Sequence, residues 1–293
     1  MPRHTPTWLE SQYNNRALVP DHAEHFARWR AASAAALNTT CVLDVAYGPS
    51  PGEKLDIYPA ATTRVAPLAA GAPVLVFIHG GYWRSLDKAD HRFVAPPFAA
   101  QGACVVVPNY DLCPSVTVPD ITLQMVRALA WVYRHIAGHG GDPGRITVVG
   151  HSAGGHLAAM LLLCQWQAVA PDLPEDLLKQ AVSLSGLYDL SPLRRAPFLQ
   201  ADLRLTPHQV ARASPAHLPA PRAGALWSWV GGQESDEFQR QNALIRQAWG
   251  PRRVPVCESL PGLNHFSIVE ALVDPAHEMH RRVARWVTGR AAG

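Results

Sequence analysis

The residues best equipped for chemistry sit in Gly150-His151-Ser152-Ala153-Gly154, a serine between two glycines at the spacing G-x-S-x-G. This pentapeptide follows the apolar run 146–149 and opens a helical stretch near Ala153. On a strand–turn–helix the sharp turn strains the serine backbone and holds its hydroxyl clear at the carboxyl edge of a sheet. The flanking glycines remove Cβ atoms that would collide with neighbouring elements. The helix N-terminus adds unpaired N–H groups and a positive dipole end beside the hydroxyl. Such a serine is a candidate nucleophile for acyl transfer.

Acyl transfer also needs donors for an oxyanion, a base and an acid. His79-Gly80-Gly81-Tyr82-Trp83 follows the apolar run 74–78, and glycines there let backbone N–H groups approach a substrate carbonyl. Each donor aimed at a developing oxyanion is typically worth about 3 kcal/mol in barrier. The expected donors are the N–H groups of Gly81, Tyr82 and Ala153, with Gly80 as the alternative to one of the first two. His79 is expected to brace the loop by hydrogen bonding.

The expected base is His265, in Leu263-Asn264-His265-Phe266-Ser267, on a turn after the run 254–257 with Pro261-Gly262 making the bend. His277 and His280 lie on the following helix among charged neighbours and read as solvated, and His151 reads as a packing residue. For the acid, the segment Gly231 to Phe238 follows the run 225–230 and offers Glu234, Asp236 and Glu237. Glu234 is closest to the strand end and is preferred; Asp236 is the runner-up. Asp236 and Glu237 fall where a first helical turn would use them to complement its dipole. Asp189, after the run 181–184, is another possible position for the acid, but its place before Ser191-Pro192 reads more as a turn or helix cap. His265 would take the Ser152 proton, Glu234 would fix the imidazole tautomer, and water would resolve the acyl-enzyme. No metal or organic cofactor is required.

These residues need a sheet to position them. Runs 42–47 and 55–58 alternate apolar and polar around the turn residues 48–52, as a hairpin does. The runs 74–78, 103–107, 146–149, 181–184, 225–230 and 254–257 are continuous and apolar, as parallel strands covered on both faces are. Helix-length segments lie between them at 87–101, 119–138, 153–169 and 235–249, with a closing helix over 267–288. The pattern predicts an α/β fold with a mostly parallel central sheet, an antiparallel N-terminal hairpin and helices on both faces. The chain divides into an N-terminal arm, 1–40, with an Ala-rich helical piece at 21–37, and a single domain, 41–293. Within that domain, 187–222 carries six prolines and reads as a cap-like insertion after the sixth strand. Either the arm or the insertion could serve as a lid.

Composition narrows the function classes. Apolar residues make up 48% and charged residues 17%, which excludes a disordered chain. The net charge of +3 and the lack of any five-residue basic block argue against nucleic acid or anionic lipid as partners. Five cysteines, an odd number with no C-x-x-C pair, give neither a disulfide framework nor zinc spacing. The N-terminus lacks a secretory apolar region, and the apolar stretch 157–164 is too short to span a bilayer. The expectations are a cytoplasmic location, a small ester or formamide substrate, no membrane partner, and a homodimer as an open option.

Taken together, the motifs resemble the arylformamidase (kynurenine formamidase) branch of the α/β-hydrolases. His79-Gly80-Gly81-Tyr82-Trp83 is the distinctive segment, where hormone-sensitive-lipase relatives usually carry a third glycine. Asn109-Tyr110-Asp111-Leu112-Cys113-Pro114, Glu234-Ser235-Asp236-Glu237-Phe238 and Tyr13-Asn14-Asn15-Arg16 are similar to that branch as well, so the resemblance runs from about residue 8 to 285. It implies Ser152, Glu234 and His265 as nucleophile, acid and base; the family acid is usually Asp, so Glu234 departs from the pattern and Asp236 stays in play. The implied reaction is hydrolysis of N-formyl-L-kynurenine to formate and kynurenine, with short-chain aryl esters as further substrates. A general short-chain carboxylesterase is the second reading, and a non-catalytic receptor or scaffold the third. Tyr82, Trp83 and Tyr110 are candidates for an aromatic wall, with Trp83 and Tyr110 expected to bind substrate.

Overall fold

The computed structural model describes residues 5–61 and 71–289. Eight strands form one sheet: β1 Val42–Ala46, β2 Lys54–Tyr58, β3 Ala72–Ile78, β4 Cys104–Pro108, β5 Gly141–His151, β6 Gln180–Leu184, β7 Ala225–Gly231 and β8 Val256–Leu260. Their spatial order is β1-β2-β4-β3-β5-β6-β7-β8. β1 and β2 pair antiparallel, β2 joins β4 antiparallel, and every later pairing is parallel. The hairpin and the parallel continuation are those expected from the alternating and the continuous apolar runs.

Among the described residues twelve α-helices surround the sheet. α1 Pro6–Tyr13, α2 Asn15–Leu18 and α3 His22–Ala36 precede it; α4 Ala95–Ala100, α5 Val118–His135, α6 Ala153–Leu162 and α7 Trp166–Val169 follow within it. α8 Pro197–Leu203 and α9 Pro207–Arg212 lie between β6 and β7, and α10 Asp236–Trp249, α11 Ser267–Val273 and α12 Glu278–Thr288 follow. Alternation along β3 builds the two faces. Val74, Val76 and Ile78 pack with Met125 and Leu129 of α5, Leu157 of α6 and Phe238 of α10. Leu75 and Phe77 pack with Trp29 of α3, Phe98 of α4, Leu272 of α11 and Val283 of α12. Between β6 and β7, Leu193, Ala196 and Leu199 are fully buried in the first of these cores.

Proline accounts for most departures from the expected elements. Of 87–101, only Ala95–Ala100 is α-helical, after 3-10 turns at Lys88–Asp90 and Arg92–Val94. Pro96 and Pro97 fit only the first turn of a helix, so they set its start. The closing segment splits into α11 and α12 at Asp274-Pro275. β8 begins after Pro255, which cannot donate to a ladder, and runs three residues further than expected. Among the described residues no helix is long and apolar enough to cross a membrane.

Candidate active site

Ser152 sits between β5 and α6 with φ 56° and ψ −116°, a left-handed setting that a serine rarely adopts. The turn can be this tight only because its flanks are glycines. A Cβ on Gly150 would lie 2.0 Å from the Gly154 carbonyl oxygen, and one on Gly154 would lie 2.0 Å from that of Ile78. The Ser152 N–H donates to the Leu184 carbonyl at 2.7 Å, tying the turn to the end of β6.

His265 lies on the turn between β8 and α11, with its Nε2 3.1 Å from Ser152 Oγ. Its Nδ1 is 2.6 Å from Glu234 Oε2. Glu234 occupies the turn after β7, and its other oxygen accepts from the Ser185 hydroxyl at 2.5 Å and the Gly231 N–H at 2.7 Å. The Glu234 and His265 side chains are 1% and 5% exposed, so the pair is shielded from water. Asp236 is the exposed first residue of α10 and does not approach the imidazole. Glu237 is held by Arg240 and Tyr13. The structure therefore brings together Ser152, His265 and Glu234, with Ser185 as a support that the sequence did not signal. Asp189 accepts from the Ser191 N–H at 2.9 Å, as a turn residue does.

His151 is buried beside this group. Its Nε2–H donates to the His265 carbonyl at 2.8 Å, which leaves Nδ1 as the unprotonated nitrogen. Burial, with His265 alongside, holds its pKa well below the usual imidazole range, so the ring is neutral and packs rather than titrates.

The loop after β3 contains three successive left-handed residues: Gly81 at φ 105°, Tyr82 at 52° and Trp83 at 57°. The Gly81 carbonyl accepts from the N–H groups of Arg84 and Ser85, which closes the loop on itself. Among the described residues the N–H groups of Gly81, Tyr82 and Ala153 meet no acceptor. His79 is fully buried and stacks on Tyr110 at 4.3 Å, with Nε2 3.0 Å from Asn109 Oδ1 and Nδ1 2.7 Å from the Gly80 carbonyl. It braces the loop from beneath.

Three expectations need correction. Trp83 does not face a substrate: it is 0% exposed and its ring meets His156 edge-on at 4.9 Å, within the core above α6. Tyr110 does not either, because its ring is stacked on His79 and its hydroxyl donates to the His79 carbonyl at 3.0 Å. His280 is not solvated but fully buried, with Nδ1 2.7 Å from the Leu272 carbonyl and its ring 4.7 Å from Phe98. The face of α12 that carries it is the one packed on α11 and α4, and burial lowers its pKa. His277 caps α12 by accepting from the Met279 N–H.

Ser152, His151 and His265 line a small cavity of about 50 Å3, with Gly81 and Tyr82 along one edge. Its aromatic wall comes from elsewhere: Phe26 and Trp29 of α3, Phe198 of α8, and Phe266. Phe26 meets Phe266 at 5.1 Å and Trp29 at 5.4 Å, and Tyr82 meets Phe198 at 5.8 Å. Phe26 and Trp29 stand three apart on a helix otherwise rich in alanine, a signal that one face carried bulk. Phe198 gave none. Asn15, buried, and Arg16, exposed, line it as well, together with Arg84.

Residues 75–289 match a family described as having the alpha/beta hydrolase fold. The chain is 33% identical to the kynurenine formamidase of Salmo salar over 245 residues, which covers 80% of this chain and 77% of that protein. It is 36% identical to esterase LipQ of Mycobacterium tuberculosis over 155 residues, covering 50% of this chain and 36% of that one. Among solved structures, a proposed thioesterase from Silicibacter sp. TM1040 superposes with a TM-score of 0.80 at 27% identity, over 94% of this chain and 97% of that one.

Proposed function

Because the chain belongs to the α/β-hydrolase family, in its arylformamidase-like branch, we propose that it is a serine hydrolase that cleaves small carboxylic esters or aryl formamides through an acyl-enzyme. The observation that carries this reading is the linear arrangement of Ser152 Oγ, 3.1 Å from His265 Nε2, and His265 Nδ1, 2.6 Å from Glu234. His265 takes the proton of Ser152 as the oxygen attacks the carbonyl carbon. Glu234 accepts the Nδ1–H, holds the tautomer and stabilises the imidazolium that forms. The tetrahedral oxyanion rests on the free N–H groups of Gly81, Tyr82 and Ala153, which are already oriented before the charge develops. His265 then protonates the leaving group. Water, deprotonated by the same imidazole, releases the acid from Ser152.

The dimensions of the cavity support a small acyl group, and the wall of Phe26, Trp29, Phe198 and Phe266 supports an aryl leaving group. On this reading the N-terminal arm and the insertion both serve the site, one on each side, as parts of the pocket wall. The five cysteines are all unpaired, which fits a reducing cytoplasm.

Steady-state kinetics on N-formyl-L-kynurenine, p-nitrophenyl acetate and a short series of alkyl esters test the assignment. We expect turnover of the first two, with rates falling as the acyl chain lengthens. Comparable kcat/KM on many unrelated esters with none on the formamide would remove the formamidase half. No turnover of any carbonyl substrate would remove the whole.

A further inference from the structure

The motif Tyr13-Asn14-Asn15-Arg16 has no part in the acyl-transfer chemistry, and the fold explains only half of it. Tyr13 is an anchor: its hydroxyl donates to Glu237 at 2.5 Å and its carbonyl accepts from the Tyr82 hydroxyl at 2.6 Å. Asn14 is a cap, accepting from the Ala17 N–H at the start of α2. Together they pin α2 against the oxyanion loop and α10. Asn15 and Arg16, the next two residues, are left over.

Asn15 is 6% exposed, lines the Ser152 cavity, and has a buried Nδ2 with no acceptor among the described residues. A buried amide donor without a partner carries a desolvation cost that the fold has no reason to bear. Arg16 lines the same cavity from its exposed rim, and its guanidinium lies 5.4 Å over the Phe26 ring. Among the described residues it makes no ion pair and no side-chain hydrogen bond. Its neighbour Arg84 differs, because Asp202 already pairs with it. Burial and the charge of Arg84 together lower the Arg16 pKa. One amide donor and one guanidinium with no anionic side chain beside it among the described residues thus line a common opening.

We propose that Asn15 and Arg16 form a recognition subsite at the mouth of the cavity that selects substrates bearing a carboxylate. The proposal rests on the hydrolase reading of Ser152 and adds the substrate class to it. A carboxylate is the group that answers both residues: it accepts from an amide and from a planar guanidinium, and supplies the missing negative charge. A neutral carbonyl would answer Asn15 alone.

The test compares N-formyl-L-kynurenine with the analogue whose carboxylate is a primary amide, following formate release. The wild type should favour the acid at least about tenfold in kcat/KM, expressed in KM, and less so as salt is raised. In Arg16→Gln that ratio should fall to within about twofold, and Arg16→Lys should restore part of it. Where formamide turnover is too slow, inhibition of p-nitrophenyl acetate hydrolysis by L-kynurenine and by its amide reads the same ratio. A wild-type ratio near one, or a ratio that survives Arg16→Gln, would overturn the subsite. Hydrolysis of p-nitrophenyl acetate separates the two claims: if it persists and needs Ser152 while the ratio is flat, the subsite alone fails. If Ser152→Ala leaves it unchanged, the hydrolase reading fails first.

Discussion

Asp56 on β2 and Glu234 after β7 are both carboxylates almost without exposure, at 0% and 1%, yet their partners differ in kind. Asp56 holds two permanent cations, Lys88 Nζ and Arg92 Nε, each at 2.7 Å, and accepts the Asp44 N–H. Lys88 is itself only 4% exposed and reaches Asp44 at 2.8 Å. That cluster ties the segment after the oxyanion loop to the antiparallel end of the sheet. Glu234 holds two neutral donors and one imidazole, whose charge changes during the reaction. A carboxylate matched by fixed cations is committed to the fold. One matched by a titrating ring keeps its stabilisation for the moment when a proton leaves Ser152.

The difference can be broken by exchanging the consequences. Asp56→Ala should destabilise by about 4 kcal/mol, because it strands Arg92 without an anion and leaves the buried Lys88 only the exposed Asp44. Urea denaturation measures this; if stability is retained and only turnover falls, the cluster belongs to the chemistry instead. Buried groups without any counter-charge sharpen the contrast. Burial pushes His91 down to about 3 and His156 down to about 4. The unfolded imidazole protonates near 6.5, so the unfolded state binds more protons between that pH and the folded value. Stability should be constant above about pH 6.5 and fall below it, with His156 alone losing about 3 kcal/mol by the time pH reaches its folded value. Denaturation midpoints that stay level from pH 7 to 5 would contradict those ring environments. Last, Glu234→Gln should lower kcat by about a hundredfold, close to 3 kcal/mol in barrier, with little change in urea midpoint. Asp236→Asn should leave kcat within about twofold; a larger loss there than in Glu234→Gln would reassign the acid.

What could be read from the chain alone follows the range of each signal. Ser152, Glu234 and His265 each stand on a turn that follows an apolar run, so a local pattern points to each of them. Glu234 is nearer the strand end than Asp236, and its Oε2 lies 2.6 Å from His265 Nδ1. The wall was beyond such reasoning. Phe26, Trp29 and Phe198 converge from helices far apart in the chain, and no short pattern records that meeting. Trp83 and Tyr110 were misplaced for a related reason: closeness in sequence to a reactive loop does not say which way a ring faces. His280 has charged chain neighbours, but a helix sorts its faces every three to four residues, and its face is the buried one.

The most direct test of the central claim is labelling of the intact protein with a fluorophosphonate, with the site of attachment located by peptide mass. One label per chain on Ser152 is expected, lost in Ser152→Ala and strongly slowed in His265→Ala. Hydrolytic activity that persists while Ser152 stays unlabelled, or a label carried by a different residue, would contradict it.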